Sequence, residues 1–501
     1  MHDAEPVRTE SSLHDWLAGP VFFRLACVGI AAIAVAIRVF HLNQPMRLDE
    51  ARTFLDYAIR PLPDAISNYN IPNNHLLHTL LVWLSIRVFG HAEWAVRLPA
   101  FIAGVLIVPA TYVATRALAD RGAALIASAL AAVLPGLILY STNARGYSMV
   151  CLAFVMLIPV ANAIADDESA ARWTAFGLVI ALGAATIPVM LYPAGAVSLW
   201  LLAERARRHG WSSAVRFAPR LAGVLAVSGA VAAVAYLPAI ERYGVASIAG
   251  NKFVIPYSWP LFLRALPQFA QRVRDTIGLG IPDVLLLGLT LSGLLPLVTR
   301  GQGRGRLFTL ALTTGFWCVA LLVATRRPPP PRVWLFLAPL CCMYAGIGLS
   351  WITGWISRRQ RVSEQPYIAA AALMLALGIA ASTVARRTVL NDNESVELVA
   401  GPAIARYLLA EARPGDRLIV SNMVSPEVDY YLFTMGGRRF ADLESPSRSA
   451  RVLLILNERE SQTATTVQTE RPDLDWRRFA TPVPLRQFES ASIWQAPRLP
   501  E

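Results

Sequence analysis

Long apolar runs constrain this chain more than any other feature. The first is Val21 to Phe40, and ten more follow at about 97–117, 122–140, 147–164, 173–187, 188–203, 217–238, 283–299, 307–325, 333–350 and 366–385. A helix rises about 1.5 Å per residue, so about 20 apolar residues cross the hydrocarbon core of a bilayer. Inside that core each backbone N–H and C=O must be satisfied within its own segment, which makes such runs helices. With 55% hydrophobic residues over 501 positions, the chain exceeds what a soluble domain carries. It reads as a polytopic α-helical membrane protein with about 11 transmembrane helices. The pair of short runs at 173–203 depends on a break near Pro188.

Charge orders the runs. The formal net charge is +12, nearly all from arginine; Lys252 is the only lysine. The arginine clusters sit between apolar runs without interleaved aromatics, a pattern that speaks for membrane flanks and against a nucleic-acid surface. His75 to Phe89 is apolar but short of a span, with Trp83, Arg87 and two histidines of interfacial character, and reads as a juxtamembrane helix. If it does not cross, Arg116, Arg121, Arg172, Arg205, Arg207, Arg208, Arg304, Arg306, Arg358, Arg359 and Arg361 all fall on the side of the N-terminus. By the positive-inside rule that side is cytoplasmic. Residues 1–20 then form a cytoplasmic segment, residues 21–385 the membrane domain, and the odd span count puts residues 386–501 outside. No basic stretch precedes a cleavage site before Val21, so the first run reads as a retained span. The five cysteines lie in apolar runs, and neither they nor the seven histidines show metal-ligand spacing.

Four outward segments and the tail carry the remaining polar character. Arg47-Leu48-Asp49-Glu50-Ala51-Arg52 follows the first span directly. An acidic pair between arginines at a membrane boundary is either a structural charge cluster or a site for chemistry on an anionic substrate, and its place in a long polar loop favours the second. Ser141 to Tyr147 forms a tight turn containing Asn143 and Arg145; Asn143 either meets a ligand or caps its own turn. The loop 239–282 holds Lys252 and Arg264, and Arg326-Arg327 followed by four prolines and Arg332 breaks the positive-inside trend. Outward arginines of that kind point to an anionic ligand or to lipid headgroups. In the tail, Asp416–Val420 and Arg451–Leu456 read as strands, Gln487–Ala496 as a further strand and Ala400–Ala412 as a helix, which together make a small α/β domain.

In this order the segments resemble the polyprenyl-phosphate-dependent GT-C glycosyltransferases, in particular the protein mannosyltransferase and aminoarabinose transferase group. Asp49-Glu50 resembles the acidic pair of that family's first outer loop. Pro72-Asn73-Asn74-His75, Trp83, Phe89-Gly90, Glu93-Trp94 and Arg97-Leu98-Pro99 resemble its return segment, and Ala144-Arg145-Gly146-Tyr147 its second outer loop. The resemblance covers roughly residues 20–200. It implies a GT-C fold with juxtamembrane helices in the first outer loop. It also implies inverting transfer of a sugar from a polyprenyl phosphate donor to a lipid, glycan or protein acceptor on the outer face of a bacterial inner membrane. The family's catalytic aspartate falls on Asp49, which would be the general base, with Glu50 beside it orienting Arg52 or the acceptor. Cations rather than an acid would stabilise the leaving phosphate. The candidates are Arg52, Arg145, Arg326 and Arg332, with Lys252 or Arg264 from the long loop and His75, Asn143 and Tyr147 as further contacts. Ser141 to Ser148 lacks the second carboxylate that some family members carry, which leaves a divalent cation (Mg or Mn) optional and favours arginine clamps. Two other functions share the hydropathy pattern: a lipid or solute transporter, which would show paired half-repeats that are not evident here, and a non-catalytic assembly protein.

Overall fold

The computed structural model describes residues 20–250, 254–294, 304–360, 364–390, 398–413, 416–420, 425–439, 442, 450–470 and 474–500. The segment 1–19 and Lys252 lie outside the described residues. In chain order the membrane region contains α1 (Pro20–Leu42), α2 (Leu48–Arg52), α3 (Leu62–Ser67), α4 (Leu76–Phe89), α5 (Glu93–Leu118), α6 (Arg121–Val133), α7 (Pro135–Ser141) and α8 (Tyr147–Asp166). There follow α9 (Ala170–Thr186), α10 (Leu191–His209), α11 (Trp211–Tyr243), α12 (Trp259–Gly278), α13 (Asp283–Ser292), α14 (Arg304–Thr325), α15 (Leu337–Gln360) and α16 (Glu364–Ala385).

The eleven expected runs fall on helices where they are described: 122–140 is split between two, and 283–299 is helical from Asp283 to Ser292, with 295–299 outside the described residues. Among the described residues seven are long and apolar enough to cross a membrane, or up to nine when two bent pairs count as spans. The first bent pair is α6 with α7, which meet at 56°. Asp120 starts α6 by accepting the Ala123 N–H at 2.8 Å, and Leu134, the residue before Pro135, is extended because the proline ring disfavours a helical conformation there. The second pair is α12 with α13, bent by 81°; α12 occupies much of the expected outer loop 239–282. The run at 173–187 becomes α9, 17 residues long, and the run at 188–203 becomes α10, which ends in Arg207, Arg208 and His209. α4 has 14 residues, about 21 Å of helix, too short to cross by itself. It ends at Gly90, whose φ of +82° turns the chain back into α5.

The tail forms a four-stranded sheet of β1 (Asp416–Val420), β2 (Arg451–Asn457), β3 (Val483–Phe488) and β4 (Ala491–Pro497) in the order β1-β2-β4-β3. β1 and β2 are parallel, and β4 runs antiparallel to both β2 and β3. The helices α17 (Gly401–Glu411) and α18 (Ser425–Gly436) accompany it. The expected single strand Gln487–Ala496 is instead a hairpin that turns at Glu489-Ser490, with Ser490 at φ +56°. The residues on either side of that turn read as one strand pattern because a two-residue turn adds no gap.

Two apolar cores matter for function. One runs through the membrane helices from Ala26 to Val389. The other joins Met46, Ala51, Phe54, Leu55, Val82 and Ala144 to Leu398, Ile404, Tyr430, Tyr431 and Ile493. The C-terminal sheet and its helices therefore pack directly on the acidic loop.

Candidate active site

The acidic loop is held by an arginine from the far end of its return segment. Arg97, near the start of α5, donates from Nη1 to the carbonyls of Leu42 and Gln44, both at 2.6 Å, and from Nη2 to that of Pro45 at 3.0 Å. Its Nε and Nη2 donate to the two Glu50 oxygens at 2.7 Å each. Glu50 also accepts the Ala144 N–H at 2.7 Å and, as a helix-capping contact, the Arg47 N–H at 3.1 Å. Both Glu50 and Arg97 are fully buried. A buried pair with each oxygen hydrogen-bonded fixes geometry, and losing one partner leaves an uncompensated charge. The expected partner of Glu50, Arg52, is thus replaced by Arg97, and the Glu50 carboxylate joins the first loop to the second.

Successive residues on a helix point about 100° apart, so Asp49 faces away from that lock. Its side chain keeps 24% exposure and pairs through Oδ2 with Arg145 Nη1, while Arg332 Nη2 stands 3.7 Å from the same oxygen. Burial pushes the Asp49 carboxyl upward, but the charges of Arg145, Arg332 and Arg52 outweigh it and hold the group below the usual carboxylate range. Asn73 donates to the Asp49 carbonyl at 3.3 Å.

His75, at the N-terminal end of α4, is buried behind Arg145. Its Nδ1 accepts the Gly146 N–H at 2.9 Å, and its Nε2 lies 3.4 Å from Arg145 Nη2. Burial, then the charge of Arg145, keeps the imidazole neutral, well below its ordinary range. With Nδ1 accepting, the single proton of the neutral ring is on Nε2, next to a guanidinium that can only donate. Two donors that face one another make a place for an oxygen atom. Gly146 is required here, since a Cβ would lie 2.5 Å from Thr186 Cγ2 and 3.3 Å from His75 Nδ1. Tyr147 packs edge-on against His75 at 5.3 Å and accepts from Arg332 Nε at 3.1 Å.

Asp49, His75, Arg145, Tyr147 and Arg332, drawn from separate stretches of chain, thus meet in one cluster. Arg52 is half-buried and acts on Asp49 through its charge. Asn143 is buried in the same turn, its backbone carbonyl accepting the Arg145 N–H at 2.7 Å and its side-chain oxygen without a partner. Arg264 is exposed on α12. Arg326 turns the other way: at φ +50° it donates to the Tyr257 carbonyl at 3.3 Å and lies over the Trp259 ring. Its charge at the proline run therefore belongs to the 257–259 segment, because the four prolines separate it from Arg332. Arg97 and His78 were not among the expected site residues. A buried arginine in an otherwise apolar helix start is the signal for Arg97. His78 carries no comparable signal, since histidines are ordinary residues of an interfacial helix.

The residues around Asp49 offer a divalent ion one carboxylate at most, and an ion such as Mg would take its remaining oxygens from water and from a substrate phosphate. Here Glu50 is engaged by Arg97 and guanidinium groups stand around Asp49, and no group of three His, Cys, Asp or Glu side chains converges among the described residues.

The family described as Dolichyl-phosphate-mannose-protein mannosyltransferase matches residues 73–236. No curated protein matches the chain by sequence. Among solved structures, ArnT from Cupriavidus metallidurans in the apo state is similar with a TM-score of 0.60 and 14% identity, over 93% of this chain and 97% of that one. The same protein bound to undecaprenyl phosphate is similar with a TM-score of 0.58 and 14% identity, over 95% and 98% of the two chains. The likeness covers nearly the whole chain, membrane helices and C-terminal sheet together, and shows a fold shared with these two structures.

Proposed function

We propose that the protein is an inverting glycosyltransferase that moves a sugar from a polyprenyl phosphate donor to an acceptor on the outer face of a bacterial inner membrane. The observation that carries this reading is a single partly exposed carboxylate, Asp49, set between Arg145 and Arg332 in a loop that Glu50 and Arg97 lock in place. The arrangement suits displacement at an anomeric carbon. The acceptor's hydroxyl or amine forms the new bond from the face opposite the phosphate. The carbon–oxygen bond to the phosphate breaks with its electron pair on the leaving polyprenyl phosphate, and the acceptor's proton passes to Asp49. A phosphate leaves without an acid when cations take up its charge, which is the part we assign to Arg145 and Arg332, with His75 Nε2–H as a neutral donor. Glu50 is a positioning residue in this scheme. The distribution of arginines between the helices supports an outward-facing site, where a lipid-linked sugar is the available activated donor.

The test uses purified protein in nanodiscs with an undecaprenyl-phosphate-linked sugar and an extracted membrane lipid and protein acceptor fraction. Asp49→Asn keeps the shape and removes the basicity. Transfer is expected to fall by about 10²–10⁴-fold while undecaprenyl phosphate binds within about twofold of the parent affinity. Transfer at the parent rate would remove Asp49 as the base and overturn the mechanism.

A further inference from the structure

A cation lies buried in the membrane region apart from the Asp49 cluster. Arg38 stands near the C-terminal end of α1, where a long basic side chain ordinarily reaches toward the headgroups. It turns inward instead and is fully buried. Among the described residues its hydrogen-bond partners are all backbone carbonyls. An ionisable residue inside a membrane region is expensive to keep, so its partners indicate what it is kept for.

Two of those carbonyls are the ones that Pro135 strands. In an unbroken helix Ala131 would accept from residue 135 and Ala132 from residue 136. Pro135 has no N–H to give. At the 56° bend the backbone ladder passes from the Leu134 N–H on the Leu130 carbonyl, at 2.8 Å, to the Ile138 N–H on the Leu134 carbonyl, at 3.1 Å. Arg38 supplies the donors: Nη1 to the Ala132 carbonyl at 2.6 Å and Nη2 to that of Ala131 at 3.4 Å. A further bond from Nη1 to the Ala34 carbonyl, at 3.1 Å, ties the guanidinium to its own helix. The charge also sits at the C-terminal end of α6, where aligned peptide dipoles favour a cation. The break is thus completed by a side chain from α1.

Beyond the break, α7 carries the Arg145 turn. Its seven residues span about 10 Å and hand over at Thr142 to residues 143–147. At that outer end Gln44 Nε2 donates to the Thr142 carbonyl at 3.0 Å. Gln44 is buried, and its own carbonyl is held by Arg97. One stretch, Arg38 to Gln44, therefore holds α7 at both ends and leads within a few residues to Asp49, whose carboxylate pairs with Arg145.

We propose that Arg38 is a positioning residue for transfer: by capping the carbonyls at the α6–α7 break it fixes where α7 stands against α1, and so places Arg145 against Asp49 and the donor phosphate. The proposal rests on the glycosyltransferase reading and adds to it a residue of the membrane interior that acts through the backbone of α6 and α7.

The experiment uses the full chain in nanodiscs, with undecaprenyl phosphate as the binding probe and the undecaprenyl-phosphate-linked sugar for rates. Arg38→Met keeps a long stem and leaves both carbonyls without this donor. At matched amounts of folded protein, undecaprenyl phosphate is expected to bind about tenfold more weakly or worse, the scale of one charged hydrogen bond. The acid limb of kcat/KM reports the base in the free enzyme. Arg145, Arg332 and Arg52 act on the Asp49 carboxylate, so withdrawing Arg145 should move that limb up by about one pH unit or more. A merely structural role would lower the active fraction and leave both readouts at parent values. Gln44→Leu, which removes the hold on the outer end of α7 without touching a charge, carries the test if Arg38→Met does not assemble; both shifts are expected in the same direction. Pro135→Ala tests the route. It lets the helix continue, so that Ala131 and Ala132 find N–H partners of their own, and in that background the cost of Arg38→Met is expected to shrink to about twofold or less. Either readout at its parent value in folded Arg38→Met, or in Gln44→Leu where that variant stands in, would overturn the proposal. So would costs of Arg38→Met and Pro135→Ala that simply multiply. Failure of the underlying reading has a different signature: Asp49→Asn would then transfer at the parent rate whatever the Arg38 variants do.

Discussion

His78 lies one helical turn beyond His75, is fully buried, and neither of its ring nitrogens has a hydrogen-bond partner. Burial, with the charge of Arg145, lowers its pKa to about 3. Because the folded value is lowered, the unfolded chain takes up the proton first. Stability is full above the ordinary histidine value near 6.5 and declines as the pH falls from there toward 3. The unfolding temperature in detergent is therefore expected to drop between pH 7.5 and 5. His78→Leu should flatten that drop and cost nothing at pH 7.5, since an apolar group replaces two orphaned polar atoms. An unaltered pH dependence in His78→Leu would show that this histidine is not the group that titrates. Asp49 is the contrast within the same cluster: burial disfavours its charge, and three arginines restore it.

Between elements, the decisive contact is the one that Glu50 makes from α2 to α5 and to the 143–147 turn. Arg97 reaches four groups of the first loop besides satisfying Glu50, so the loop has no other obvious way to place its carbonyls. Glu50→Gln removes the charge that balances a fully buried guanidinium. Breaking such a pair costs about 3–5 kcal/mol, so a clear loss of thermal stability is expected, along with lost transfer. Asp49→Asn, at a carboxylate that keeps 24% exposure, should lower the unfolding temperature by clearly less. If the two variants unfold alike, the division between a holding carboxylate and a reacting one is wrong.

Across the whole molecule, the C-terminal sheet and helices are part of the site's support. Phe54 sits on the π-helical turn Thr53–Ala58 just after Asp49, fully buried, with its ring 5.1 Å from Tyr430 and 5.9 Å from Phe433. The Tyr431 hydroxyl accepts the Met46 N–H at 2.8 Å, and the Tyr430 hydroxyl donates to the His91 carbonyl at 2.6 Å. Two tyrosines on α18 thus hold both ends of the first outer loop. Phe54→Ala removes a large core side chain, a change that typically costs about 3–5 kcal/mol. Faster protease release of the C-terminal region is expected, together with weaker transfer. Protease resistance equal to that of the parent would mean that the two parts associate without this contact.

The membrane class, the positions of the helices and the place of the acidic pair were legible in the chain itself, because hydrocarbon thickness and backbone satisfaction leave few alternatives for long apolar runs. The short length of α4 and the strands at Asp416 and Arg451 were legible for the same kind of local reason. Local pattern does not reveal partners. That Glu50 turns to Arg97 and not to Arg52, that Arg332 joins Asp49 while Arg326 turns to Trp259, and that Tyr430 and Tyr431 reach the first loop are contacts between residues far apart in the chain. Charge partners are selected by packing, which brings stretches together only once the helices have assembled. The sequence marks arginines as candidates by their side of the membrane, and the tertiary structure alone decides which of them share a carboxylate.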